Sequence, residues 1–388
     1  MTPDRERLRT APETGRAPDG ELWFPYMFWA HTQGHRTPYV LSQSGMAPAG
    51  PAFLANLGHA QDLDHPGMAA QPALEEALAR RFGVPRSRVI VTVGATGGMF
   101  LAASRWFRSG ARVVTESPAY EPFRALPRFF GAELAVVERR AEDGFALDPA
   151  AVERALAGGT GPGHVFLSNP NNPSGVQTDR ATLKAVARAA ERTGGVLVSC
   201  DIYMEYVPAA EALWTHSVAP NAVTIGSLTK AYGLGALRIG WLILGEGLES
   251  ERERLVDLTY LTHIDPPTFS MRAAHAATTR LPALLSPLRR VTAECRPAWE
   301  HWLRTSDAIE STIPAHGIIA FPRVVGVEDT RALAEYLVAE HGVDIVPGEY
   351  FGRAGHIRVG CGVEPAVLTE GLARLERGLR AYRSQHSR

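Results

Sequence analysis

From about residue 72 onward the chain alternates short β-rich runs with helical stretches, and this alternation restricts the fold more than any other feature. A helix is expected from Gln71 to Phe82, a strand from Val89 to Val93 and a helix from Thr96 to Phe107. Strands follow at Arg112 to Thr115, Leu134 to Val137 and His164 to Leu167, then a helix from Asp179 to Arg192 and strands at Val196 to Cys200 and Val223 to Gly226. Ile239 to Leu244 reads as a final antiparallel member. Strands separated by helices in this way form a mostly parallel sheet, here seven-stranded, covered by helices on both faces. Ligands of such α/β sheets bind in the loops beyond the carboxyl ends of the strands. After Pro266 and Pro267 the pattern turns helical (Phe269 to Thr279, Leu284 to Arg304), then strand-like at Gly317 to Pro322 and Ile357 to Gly360. The expected division is an N-terminal arm with part of a small α+β domain (1–58), a large domain (59–268) and the C-terminal small domain (269–388).

The charge balance narrows the partners. A formal net charge of -1 and the absence of a dense Lys/Arg run give no electrostatic reason to expect nucleic acid or an anionic membrane. Cys200, Cys295 and Cys361 share no metal-ligand or redox spacing, so no metal site is expected and a reducing compartment is. The start of the chain is charged and Pro-rich, with no apolar leader core and no stretch of membrane-spanning length, which points to the cytoplasm. Lysine is nearly absent: only Lys184 and Lys230 stand among 40 basic residues. A lysine kept where arginine is the default suggests amine chemistry, because a guanidinium stays protonated and forms no reversible imine. Lys184 falls among Arg180, Arg188 and Arg192 on an amphipathic helix and reads as a solvated face.

Four clusters fall at strand ends. Gly94-Ala95-Thr96-Gly97-Gly98 lets a backbone approach an anion at a helix N-terminus, with the Thr96 hydroxyl as a further donor; alone it is equally a Gly-rich turn. Its spacing is neither that of a P-loop nor G-x-G-x-x-G, which disfavours a nucleotide-dependent dehydrogenase. Ser227-Leu228-Thr229-Lys230, followed by Arg238, flanks an amine with the donors that a phosphate requires. Asp201 follows an apolar strand, where it is either a turn residue or a carboxylate set against a protonated ring nitrogen. Ser168 to Gly175, with two prolines, fixes an irregular loop in which Asn172 presents an amide donor. Together the four supply what a phosphorylated pyridine aldehyde needs.

These clusters resemble those of the class I/II aminotransferases, the fold type I enzymes that use pyridoxal 5′-phosphate (PLP). The likeness runs from Ser44-Gly45 through Ser117-Pro118-Ala119-Tyr120, the Asn-Pro loop, Asp201 and Lys230 to Ile357-Arg358-Val359. It implies that Lys230 is the Schiff-base lysine and acid/base, and that Asp201 is the partner of the pyridinium nitrogen. Asn172 would contact the phenolic oxygen and Tyr120 would stack on the ring. Ala95, Thr96, Ser227 and Arg238 would hold the phosphate. Arg358 would clamp the substrate α-carboxylate, with Gly45 bordering that pocket, although by sequence alone Arg358 is equally the solvent face of a strand. A homodimer, an amino acid substrate and a 2-oxo acid acceptor are further implications.

The sequence departs from the family after Asp201. Members commonly continue Asp-Glu-x-Tyr, whereas here the run is Asp201-Ile202-Tyr203-Met204, so either Tyr203 takes the tyrosine's role or that donor is missing. The tyrosine that usually reaches the phosphate from the neighbouring subunit is not obvious, and His65 stands where a substitute would be sought. The aromatic run Trp23 to His31 reads as packing, or as a lid or dimer arm. Amino transfer through a quinonoid intermediate is the leading reaction. Elimination, replacement, cyclisation or oxidation on the same scaffold is the alternative, since Asp201 and Lys230 serve all of them. A regulator built on the same domain would carry a basic winged-helix unit, for which too few residues precede the match.

Overall fold

The computed structural model describes residues 24–32, 34, 36–47 and 69–386; His65 lies outside them. In chain order the amino-terminal part comprises α1 (Pro25–Thr32), β1 (Tyr39–Val40), α2 (Ala70–Phe82), β2 (Val89–Val93), α3 (Gly94–Trp106), β3 (Arg112–Ser117), α4 (Pro122–Phe129), β4 (Glu133–Glu138) and α5 (Pro149–Ala157). There follow β5 (Gly163–Ser168), α6 (Arg180–Arg192), β6 (Leu197–Cys200), β7 (Ala222–Ser227), β8 (Ile239–Leu244) and α7 (Arg252–Tyr260). The strands β2 to β8 form one seven-stranded sheet in the order β2-β8-β7-β6-β5-β3-β4. Only β8 runs against its neighbours β2 and β7, so the other strands deliver their carboxyl ends to one edge.

Alternation along the strands sorts the core into two layers. Val113, Phe166, Val198 and Ile225 face α3 and α4, while Val114, Val165, Leu167 and Leu197 face α5 and α6. The sheet is apolar on both faces because both are covered, as the sequence pattern requires. The remaining chain forms α8 (Thr268–Thr278), α9 (Leu281–Leu284), α10 (Ser286–Thr305), short strands β9 to β13 within 309–347, a helix α11 (Thr330–Tyr336), β14 (Ile357–Gly360) and α12 (Pro365–His386). β14 pairs antiparallel with β10 (Ile319–Ala320) and β13 (Val346–Pro347), and β1 joins the same region by pairing with Val343–Asp344.

Three expectations shift. The helix expected from Leu284 to Arg304 is broken at Leu285, where α10 restarts with a proline in its first turn. The strand expected from Gly317 to Pro322 shortens to Ile319–Ala320. α4 and α5, absent from the sequence reading, fill the crossovers from β3 to β4 and from β4 to β5, and α7, also absent from it, follows the last sheet strand. α4 opens on Pro122 and contains Pro127, a composition that masks its helical period.

One buried ion pair ties the fold to its ligand edge. Arg139, just past β4, is fully buried; its Nε and Nη2 each reach Glu116 Oε2 at 2.7 Å, Nη1 donates to Phe145 O and Nη2 to Thr178 Oγ1. The other oxygen, Glu116 Oε1, accepts from Ser168 N at 2.9 Å and from Ser168 Oγ. A buried pair is sustained only when its remaining polar atoms are satisfied, as here. Arg139→Met is therefore expected to destabilise by about 3–5 kcal/mol because it strands Glu116 uncompensated, and the double variant Arg139→Met/Glu116→Gln to recover part of that loss. Equilibrium urea unfolding of the three proteins checks it; equal stability of single and double variants refutes it.

Candidate active site

Five loops leave the same sheet edge, after β2, β3, β5, β6 and β7, and they bring every described residue of the four clusters to one end of the molecule. Asp201, directly after β6, is fully buried. It accepts from Ser199 Oγ (2.5 Å), Thr215 N (2.8 Å), Thr215 Oγ1 (3.0 Å) and Thr224 Oγ1 (2.7 Å), and forms no ion pair among the described residues. His216, whose ring nitrogen meets Thr224 Oγ1, is pushed down to about 4 by burial and stands neutral. Burial pushes the Asp201 carboxyl up to about 7, with its four hydrogen bonds pulling the other way. A carboxylate this well supplied with donors and still short of a cation is suited to a protonated ring nitrogen.

Lys230 lies beyond the adjacent strand β7, half-buried, with Nζ donating to Ser44 Oγ at 3.1 Å. Burial pushes its amine below the ordinary lysine value; Tyr26 opposes that shift, and Arg358 and Arg238 reinforce it. Gly45 rests directly on it. A Cβ at position 45 would stand 3.2 Å from Lys230 Cδ, and Met46 N donates to Lys230 O at 2.9 Å. Lys184 is exposed on α6.

The anion cradle forms where β2 turns into α3. Gly94 has φ +67° and lies under the Arg238 guanidinium so closely that a Cβ would come within 2.6 Å of Nη2. Gly240 presses on the Gly94 backbone and pairs in register with Ser227. Ala95 and Thr96 form the first turn of α3. Arg238 is exposed, with no hydrogen-bond partner for its guanidinium among the described residues. Beside it a cavity of about 410 Å³ is lined by Thr96, Phe100, Arg238, Thr262 and His263. A larger cavity of about 660 Å³, between the 204–217 loop and α10, contains none of the predicted site residues.

Arg358 is on β14 yet is 1% exposed, so the solvent-face alternative is corrected: the residue points inward. Its guanidinium lies against the rings of Tyr26 and Phe351, 5.5 and 5.1 Å from their centroids. It donates to Asn172 Oδ1 (2.9 Å), Tyr26 Oη (3.0 Å) and Ser42 O (3.0 Å), all neutral, and its Nε has no partner among the described residues. With its oxygen so engaged, the Asn172 amide nitrogen is the free donor, while Asn172 N is held by Ser168 Oγ at 3.0 Å. Tyr120 is half-buried, its hydroxyl on Met27 Sδ at 3.1 Å. The buried Tyr203 hydroxyl lies beside Ser44 without a hydrogen bond of ordinary geometry. Met204 instead turns its sulfur to Leu213 N at 3.2 Å.

Sequence reasoning did not select Tyr26, Ser42 or Ser44. Tyr26 carried a signal, the aromatic run, whose two readings coincide: the run packs on the body and, in doing so, delivers a hydroxyl to Arg358. Ser42 acts through its carbonyl, which no residue type announces.

The orphaned Tyr203 hydroxyl, the free Asn172 donor, the uncompensated Asp201 carboxylate and the Arg238 guanidinium over Gly94 are groups that a phosphorylated pyridine ring would fit, and the sheet that carries them is that of a PLP-dependent enzyme of fold type I. The chain belongs to the class I and II aminotransferases, whose family model matches residues 62–375. It is 32% identical over 323 residues to capreomycidine synthase of Streptomyces vinaceus, covering 81% of this chain and 80% of that one. It is 27% identical to the arginine–pyruvate transaminase AruH of Pseudomonas aeruginosa, over 76% and 77% of the two chains. The solved structure of the PLP-dependent cyclase OrfR superposes with a TM-score of 0.78 at 26% identity, covering 96% of this chain and 98% of that one.

Asp201 makes a prediction about pH. Its folded value, about 7, lies above the ordinary one, so the folded apoprotein holds a proton that the unfolded chain releases, and stability is lost as pH rises toward 7. Relative to Asp201→Asn, which has no proton to lose, the wild-type apoprotein is expected to weaken from about pH 4 to pH 7, at up to about 1.4 kcal/mol per pH unit. Added PLP should remove the difference by supplying a cation. Parallel stability curves for the two apoproteins across that range sink the idea.

Proposed function

We propose that this enzyme transfers the α-amino group of an amino acid to a 2-oxo acid, with Lys230 as cofactor anchor and proton carrier. The observation that carries the reading is the juxtaposition, at adjacent strand ends, of a buried carboxylate lacking a counter-ion with an amine of lowered pKa. PLP supplies an aldehyde that condenses reversibly with amines and a ring that accepts the electron pair left at Cα when its proton departs. Asp201 would keep the ring nitrogen protonated, Asn172 and Tyr203 would donate to the phenolic oxygen, and Tyr120 would cover a ring face. Ala95, Thr96, Ser227 and Arg238 would hold the phosphate. Arg358, charged, buried and facing only neutral acceptors, gains its missing anion from the substrate carboxylate, and Gly45 leaves that carboxylate room beside Lys230. The Lys230 amine, made easier to deprotonate by burial, would move the proton between Cα and C4′ of the cofactor.

The working form in this reading is a cytoplasmic homodimer. Tyr260, Leu261 and Ile264 are 58%, 81% and 62% exposed on one turn beside the Thr262–His263 wall of the cradle, an apolar patch that a second copy would cover. All three cysteines are free and buried, in keeping with a reducing compartment. The likeness to an arginine–pyruvate transaminase makes arginine and pyruvate the first pair to try.

A second reading, cyclisation or another Cβ/Cγ reaction on the same scaffold, is favoured by Met204 in place of the family tyrosine and by the likeness to the cyclase OrfR. Mass spectrometry of products from a panel of amino acids, with and without pyruvate or 2-oxoglutarate, separates the two. Reciprocal amine transfer supports the first; a ring-closed product or ammonia release without an acceptor supports the second. Borohydride treatment of the holoenzyme followed by peptide mapping is expected to find the cofactor on Lys230, and label on Lys184, or on neither, ends both. Arg358→Gln is expected to raise KM for the amino donor about 100-fold, equivalent to about 2.7 kcal/mol; an unchanged KM removes Arg358 from the substrate site.

A further inference from the structure

The helix α1 is fastened to the sheet domain by a carboxylate that the reaction does not use. Glu121, between Tyr120 and α4, is 6% exposed, and its Oε1 accepts from Tyr26 N at 2.9 Å, with the amide of Met27 close by. First-turn amides have no acceptor within their own helix, and a carboxyl oxygen there satisfies one of them. What the carboxylate holds in place is part of the site. Tyr26 takes a hydrogen bond from Arg358 Nη2 at 3.0 Å and stands edge-on to Tyr120 at 5.7 Å, and Met27 Sδ takes the Tyr120 hydroxyl.

We propose that Glu121 is a positioning residue that holds α1 over the site and, through Tyr26, sets the Arg358 guanidinium for the substrate carboxylate; this rests on the reading of Arg358 given above. Burial pushes Glu121 up to about 7, against the Tyr26 and Met27 amides and the guanidiniums of Arg124 on α4 and Arg331 on α11, while Tyr120 and Tyr350 face the same carboxylate. Lifting α1 would rehydrate the carboxyl and let it fall toward its ordinary value of about 4.3. The closed arrangement therefore binds the proton more tightly, so rising pH opposes closure and falling pH favours it.

The test uses the holoenzyme and reads two quantities, amide hydrogen exchange across residues 24–32 and the steady-state constants for the amino donor. Glu121→Ala is expected to speed exchange in that segment about tenfold and to raise KM about tenfold, with kcat moving less than KM. Glu121→Gln keeps an uncharged acceptor; it should raise KM by a smaller factor, and the ratio of wild-type to variant KM should climb from about pH 6 to pH 8. Tyr26→Phe, which leaves the helix in place, should raise KM without faster exchange. Unchanged exchange in Glu121→Ala overturns the tie to α1. Faster exchange with an unmoved KM overturns its hold on the substrate. Should Arg358→Gln keep a wild-type KM, the carboxylate reading fails and takes that hold with it, whatever the exchange shows.

Discussion

A carboxylate withdrawn from water without a counter-charge governs the centre of this molecule. Isolated ionised groups are costly to bury, and proteins lower the cost with hydrogen bonds or with an opposite charge. Asp201 has the first and lacks the second. Its donors come from β6 (Ser199), β7 (Thr224) and the turn at Thr215, so satisfying it fixes how the 201–215 loop folds back on the sheet. That fold-back turns Met204 toward Leu213 and leaves Tyr203 with its hydroxyl beside Ser44. The same network thus stabilises the loop and prepares a place for a cation.

Two buried arginines differ in whether their charge is compensated. Arg139 and Arg358 are equally inaccessible. Arg139 is neutralised by Glu116 and has its donors absorbed by fixed acceptors. Arg358 is offered two side-chain oxygens, one carbonyl and two ring faces, none of them anionic. Hydrogen bonds join the two: from Arg139 through Glu116, Ser168 and Asn172 to Arg358 and Tyr26. The compensated end anchors the line, and the uncompensated end is the one proposed to meet the substrate. Because the anchor is a strand end and the Asn-Pro loop, the uncompensated charge is tied by hydrogen bonds to the edge of the sheet.

Most of the sheet was readable in the sequence, because both of its faces are buried and each strand therefore spells an apolar run; Ile239–Leu244 matched to the residue. Lys230, Asp201 and Asn172 could be singled out in the sequence because the expected chemistry restricts their type, and the structure brings them to neighbouring strand ends. What escaped lacked either property. α4 is disguised by its prolines, and Ser42 contributes a carbonyl. Glu121 was invisible because a carboxylate beside a tyrosine looks like surface until a distant helix is folded onto it. Tyr26 stands 332 residues from Arg358, so their contact is a property of tertiary structure alone.

The division of labour bears on which reaction this scaffold performs. In the proposed reading Asp201, Lys230 and the phosphate cradle would prepare the Cα–H bond for cleavage, a step common to transfer, elimination and ring closure. The outcome is decided by groups that meet the substrate beyond Cα. Here α1 reaches the site from the amino-terminal end, with Tyr26 on the carboxylate clamp, Met27 on Tyr120, and Trp29 behind them stacked on Tyr26. A wall carried on one helix outside the sheet can change its side chains without disturbing the sheet itself. Reaction identity on this scaffold is thereby physically separable from cofactor binding, so relatives with one shared core can include both a transaminase and a cyclase.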